Sequence, residues 1–191
     1  MINAAISHLA GQLNQHFRNN YHSVEDLVVV SNLVELDGSV APHASNKLVL
    51  MLVNIEKDTL PYRTGLPQRS NDERLLVHST PLYLNLYLMM AANFGGGNYA
   101  EALKTISNAV SFFQQHAVFD QHNSPGLDTR IEKLILDIEN LKIPDLNNLW
   151  SLLGGRYLPS VFYKVRMISM DATAVIGQVP VIIDTKNQVA G

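Results

Sequence analysis

From the amino terminus, Ile2, Ala5, Ile6, Leu9 and Leu13 recur at three- and four-residue spacing, the pattern of one helix face turned toward a core. Asn19, Asn20 and the Glu25-Asp26 pair end it. Asp26 to Asp37 (DLVVVSNLVELD) and Lys47 to Glu56 (KLVLMLVNIE) are rich in Val and Leu and read as strands, the first stopping at the turn dipeptide Asp37-Gly38. Both are apolar at odd and even positions alike, which suits a sheet covered on both sides. Leu82 to Ala92 (LYLNLYLMMAA) is the most apolar stretch and the expected central strand.

Gly95-Gly96-Gly97 closes that strand, and Asn98 opens the clearest helix, with Tyr99, Ala102, Leu103, Ile106, Val110 and Phe113 on one stripe. Asn98 followed by Glu101 three residues on predicts a side-chain cap of the capping-box kind. After a turn at Asn123 to Gly126, Ile131 to Leu141 reads as a fourth strand. Pro144 suits the first position of a helix carrying Leu146, Leu149, Trp150 and Leu153, and Trp150 is expected in the core. Val161 to Met170 is the last strand. The order is α-β-β-β-α-β-α-β. Two hairpin-like steps argue against a purely parallel sheet, so the expected class is α/β (α+β): a mixed sheet of about five strands flanked by helices. No repeat or linker divides the chain, which reads as one domain over residues 1–172 and a tail over 173–191.

Composition narrows the classes. The chain has 191 residues, enough for one domain that buries its own core. Its 16% of charged residues is low for a soluble monomer, a hint that partners cover part of the surface. A net charge of −3 lacks the basic surplus that neutralises phosphates, so no nucleic-acid partner is expected. With no cysteine, disulfides, thiolate nucleophiles and Cys-based zinc sites are excluded together. The first residues carry no basic leader, and no segment approaches the ~18 apolar residues of a membrane span, so synthesis in the cytoplasm and no membrane partner are expected.

Candidate chemistry is sparse. The glycine run before Asn98 sits where phosphate loops occur, yet it lacks GxxxxGK[ST] and GxGxxG, and it reads as a turn. His8, His16, His22, His43, His78, His116 and His122 form no HExxH or comparable pair; His8 and His16 can share a helix face without an acidic companion. No GxSxG is present, and Ser124 lies in a Ser-Pro-Gly turn. Asp137 and Glu139 fall on one strand face and read as a solvated or interface face. No catalytic residue, cofactor or metal ligand is nominated, and the chain is expected not to be an enzyme.

Four phrases carry a resemblance: LVNIEKDTL (52–60), PLYLNLYLMMAANF with NYAEAL (81–103), NSPGLDTRIEKLI (123–135) and LWSLLGGRYLPSVFYKVRM (149–167). Together they resemble the tail-terminator, or cap, family of extracellular contractile injection systems, phage-tail-like particles of the antifeeding prophage and Photorhabdus virulence cassette type. The resemblance implies a homohexameric ring at the end of the particle distal to the baseplate. There it would contact the inner tube protein and the sheath protein, stop their polymerisation and close the lumen. It also implies a protein made in the bacterial cytoplasm and built into a particle that can be released. The family supplies no catalytic residues. Some relatives continue past the last strand, and what that segment does in them is not carried over. An adaptor or cargo-binding module of the same apparatus is the alternative. A ring needs contacts, and two segments are the candidates. The Lys57 to Pro81 connection brings Arg63, Arg69 and Arg74, whose planar heads suit a neighbour's carboxylates. The tail brings Val181, Ile182 and Ile183, a short run fit to add a strand to an adjacent sheet edge.

Overall fold

The computed structural model describes residues 1–21, 25–35, 37–39, 41–59, 82–154 and 156–169, and the backbone of 74–78 and 175–180. The elements are α1 (Ile2–Tyr21), β1 (Val28–Val30), a short 3-10 turn (Pro42–Ala44), β2 (Lys47–Lys57), β3 (Arg74–His78), β4 (Leu82–Asn93), α2 (Tyr99–Gln115), β5 (Val118–Asp120), β6 (Ile131–Ile138), α3 (Ile143–Leu152), β7 (Ser160–Ser169) and β8 (Val175–Pro180). Six strands form one sheet in the order β1-β2-β4-β7-β6-β5, and β3 pairs with β8 in a separate two-stranded ribbon. Only β1 and β2 run parallel; the other pairs are antiparallel.

The apolar residues at both parities have a direct structural meaning. In β4, Leu86, Leu88, Met90 and Ala92 face α1 and α2, where they meet Ile6, Leu9, Leu13, Phe17, Ile106 and Phe113. Met89 and Ala91 of the same strand face the other way, onto Leu33, Ala44 and Trp150. β2 divides likewise, with Leu48 and Leu50 toward the helices and Val49 toward Trp150. β4 and β7 are the inner pair, joined over Leu82 to Ala91 without a register break. The two covers differ in character: long helices on one side, and α3 with the 31–44 stretch on the other.

Several expectations change. The sheet has six strands, not about five, and β3 and β8 add two more. β5 spans three residues, too few for a period to show in sequence. The Asp26 to Asp37 strand shrinks to Val28–Val30 because the chain leaves the sheet to build the second cover. Leu33 and Ala41 return to each other through Ala41 N–H to Leu33 C=O (3.1 Å), around a turn in which Ser39 N–H donates to Asp37 Oδ1 at 2.8 Å. Asn98 does not cap α2: its backbone (φ −85°, ψ 30°) is not extended, so its side chain makes no bond to the first turn. The turn before it is made by Gly96 and Gly97 at φ 65° and 89°. Gly154, at φ +94°, ends α3 where a Cβ would meet Val34 Cγ1 at 3.2 Å, so a side chain is opposed by both backbone and neighbour. Trp150 is 4% exposed and belongs to the core, as expected.

Leu86 is fully buried on the inner strand. Leu86→Ala should cost about 2–5 kcal/mol in urea unfolding, and a cost under about 1 kcal/mol would contradict β4 as the dry axis of the sheet.

Candidate functional site

The long connection and the tail, separate candidates in sequence, meet in the structure. Arg74 opens β3 in register with Pro180 of β8, and the pairing continues through Leu75–Val179 and Leu76–Gln178 to Val77–Gly177. Arg63, Arg69, Val181, Ile182 and Ile183 lie outside the described residues. The ribbon departs from one pole of the sheet. β2 ends there at Lys57, β4 begins at Leu82 and β7 ends at Ser169, with Lys57 in register with Leu84 and Leu82 with Ser169. The opposite pole carries the glycine turn and the start of α2.

The six-stranded sheet closes its own edges. Outward from β1, Asn14 of α1 accepts from Val28 N–H through Oδ1 and donates to Val28 C=O through Nδ2, both at 2.8 Å. Outward from β5, Asn123 accepts from Asp120 N–H and donates to Val118 C=O, both at 2.9 Å. An amide side chain has one acceptor and one donor group on one carbon, so it can satisfy the peptide groups that a further strand would take. Asn14 is 7% exposed and sits beside Leu13 on the buried stripe of α1. That is the one signal for it in sequence: a polar residue among the helix's core positions. Asn123 falls within turn residues and had no such signal.

On the face away from α1 and α2, beyond the reach of α3, the strands carry a polar row. Tyr87 Oη donates to Glu56 Oε2 at 3.0 Å, and Asn54 Nδ2 donates to Glu56 Oε1 at 3.2 Å. Lys164 Nζ lies 5.9 Å from the Tyr87 ring centre, in register with Tyr87 on one side and Asp137 on the other. Burial, and then the hydrogen bond to Glu56, push the Tyr87 phenol pKa up. In this acid-aromatic-base-acid row Glu56 is paired with Tyr87 and Asn54, Lys164 lies over the Tyr87 ring, and Asp137 stands beside Lys164 in strand register.

Clefts indent the surface of the described residues on both sides of α1. One, of about 490 Å³, lies between α1 and α2 and is lined by Phe17, Tyr21, Phe94, Glu101 and Lys104. The other, of about 630 Å³, lies between α1 and the Gly126 to Thr129 turn and includes His8. The second also brings Ser7, Asp128 and Thr129 near His8, but His8 Nε2 is buried with no hydrogen-bond partner, so no hydroxyl there is paired to it as to a base. Among the described residues no group of three or more His, Cys, Asp or Glu could hold a metal ion. His8 and His16 are half-buried along the α1 seam rather than paired. His8 packs edge-on to Phe119, and His16 lies 4.8 Å from Phe112, which stacks on His116. Burial lowers the pKa of both, and the His116 charge adds to the effect on His16. His122 is almost fully exposed, and Asp137 is exposed on β6. The 123–130 turn is locked from within: Gln121 Nε2 donates to Ile131 C=O at 2.9 Å, and Arg130 pairs with Asp128 at 2.6 Å, holding that carboxyl well below the usual range.

The family model for the Pvc16 N-terminal domain matches residues 4–183. The fold is similar to the sheath/tube terminator of PVC, an extracellular contractile injection system, in its extended state. That match has 16% identity and a TM-score of 0.62, and covers 100% of this chain and 64% of that one. It is also similar to the tube-terminating cap of the anti-feeding prophage, at 11% identity and TM-score 0.61, over 94% of this chain and 59% of that one. This chain therefore spans less than two thirds of the length of either solved chain. No curated protein matches the sequence. The matched family is the one that the four sequence phrases resemble, and the mixed α+β class agrees with it.

Two measurements test the geometry. Asn14→Ala should cost about 2–4 kcal/mol in urea unfolding, because it strands two buried peptide groups, whereas exposed Asn123→Ala should cost about 1 kcal/mol or less, since water replaces the amide; equal costs would contradict the difference in burial. With folded-state pKa values below the ordinary 6.5, His8 and His16 bind protons more readily in the unfolded chain. Their contribution is intact above pH 6.5 and is lost as pH falls below it. Melts at about pH 7.5 and 5.5 should show this fall, reduced in His16→Gln, and a fall of the same size in that variant would remove His16 from the effect.

Proposed function

This chain belongs to the Pvc16 N-terminal domain family, and from that premise we propose that it is the structural cap of a contractile injection particle. In this reading copies of the chain form a homohexameric ring on the distal end of the inner tube and sheath and end their polymerisation. The observation that carries it is the fold likeness, across nearly the whole chain, to a sheath/tube terminator and a tube-terminating cap. The work is done by fit to neighbours, with no bond made or broken.

The physical features support such a role. A sheet whose inner strand is packed on both faces is a stiff block, and a ring of stiff blocks holds its diameter where flexible ones would not. Ring closure needs a heterologous contact, with on the order of 800 Å² buried per partner. The ribbon pole supplies the reach. Residues 1–172 are the body and 173–191 the arm, with Arg63, Arg69, Arg74, Val181, Ile182 and Ile183 as the contacts to neighbouring copies, tube protein or sheath protein. The protein is made in the cytoplasm and leaves with the particle. No helix among the described residues is long and apolar enough to cross a membrane.

Native mass spectrometry of the full chain should give a species near six times 21.2 kDa. Particles assembled without the gene should vary widely in length, and imaging should place the subunit at the distal end. Subunits found instead inside the tube or at the baseplate would favour an adaptor or cargo role and reject the cap.

A further inference from the structure

The cleft between α1 and α2 has no part in the contacts named above. It holds about 490 Å³ and stands at the pole of the glycine turn, opposite the ribbon. Phe17, Leu27 and Phe94 give it an apolar lining, and Tyr21 brings a third aromatic ring. A concavity of this size, apolar with a few placed polar groups, is the usual form of a binding site.

The rim carries charges that cancel. Glu101 Oε2 lies 3.9 Å from Lys104 Nζ, and Lys104 Nζ stands 5.8 Å from the centre of the Tyr21 ring. The rest of the rim is made of amides and one hydroxyl. Asn108 donates through Nδ2 to the Tyr21 phenol, which ties the end of α1 to α2. Asn46 accepts from Gly95 N–H at 3.2 Å, which fixes the cleft beside the glycine turn. Each of these amides thus spends one half of its donor and acceptor set on its own chain, leaving Asn108 Oδ1 and Asn46 Nδ2 as the other halves. Asn98 lines the same cleft and makes no side-chain bond to the first turn of α2. Thr105 is a buried polar residue of the lining, only 9% exposed. The helical hydroxyls of Ser107 and Ser151 turn back to the carbonyl four residues earlier, at 2.7 and 2.8 Å. Among the described residues the Thr105 hydroxyl makes no such bond.

We propose that this cleft is a docking site for an uncharged apolar side chain, with its flanking peptide groups, presented by another protein. The three rings and Leu27 reward apolar burial, so they set the anchor. A charged anchor would find no counter-ion, since Glu101 and Lys104 already face each other. The amides favour a peptide over a bare hydrocarbon, because an amide side chain matches the N–H and C=O of a peptide group. Asn14 and Asn123 make that same match inside this chain. The site neither uses nor requires the cap reading.

The test follows the full chain by amide and methyl NMR as four probes are added: N-acetylphenylalanine amide, toluene, N-acetyllysine amide and N-acetylglutamate amide. N-acetylphenylalanine amide is expected to shift the signals of Leu27, Thr105 and Asn108 with a Kd on the order of 1 mM. Toluene and the two charged amides are expected to bind about tenfold more weakly. Toluene binding as tightly as the amide would overturn the peptide reading and make the cleft a small-molecule pocket. Charged probes binding as tightly would overturn the neutral anchor. Shifts confined to residues outside the cleft, or none with any probe, would overturn the site. Two variants sharpen the result. In Thr105→Val the advantage of the amide over toluene should shrink about threefold or more, and an unchanged advantage would remove the hydroxyl from the site. Asn98→Trp places a bulky ring at an exposed position of the lining. It should weaken the amide about tenfold with melting unchanged, and undiminished binding in a folded Asn98→Trp chain would overturn the proposal.

Discussion

The structure depends on the inner strand β4 being covered on both faces where it pairs with β2 and β7. Ten registered pairs run along it, from Leu82–Ser169 to Ala91–Ser160. Over the half nearest the glycine turn, neither face of β4 meets water, because α1 and α2 cover one side and Trp150, Leu33 and Ala44 the other. Two consequences follow from that single requirement. Both covers must be supplied by the chain on either side of the sheet, which explains why β1 is cut short so that residues 31–44 can cross to the lower face. What remains for contact is the rim: the two edges, the polar row beyond α3, and the pole from which the ribbon leaves.

The rim is not uniform. Asn14 and Asn123 solve one problem in two settings, each satisfying with its amide the peptide groups that a neighbouring strand would otherwise take. Burial separates them, since Asn14 is inside and Asn123 is at the surface, so only the first is tied to the stability of the whole. In the polar row, Tyr87 is likewise paired with Glu56 within the subunit.

The seam between α1 and α2 adds a further property. His16 lies against Phe112, with His116 stacked on that ring, and burial makes a charge on His16 costly. Protonating His8 or His16 is therefore less favourable in the folded chain than in the unfolded one, and both side chains belong to the helical cover.

What the sequence determined by itself were the features that repeat. The α1 stripe from Ile2 to Leu13, the α2 stripe from Tyr99 to Phe113, and the two-sided apolar runs in β2 and β4 each place many residues under one local period, and burial then follows from composition. The family was legible in the same way, in four phrases spread over the chain. Tertiary structure alone decided the rest, because it depends on pairing distant segments. Arg74 opposite Pro180 joins positions more than a hundred residues apart, and no local pattern marks either as a partner of the other. The parallel β1–β2 pair, the three-residue β5 and the Asn123 cap arise for the same reason: hydrogen bonds between peptide groups of distant segments leave no local pattern, so only the folded backbone shows which groups meet.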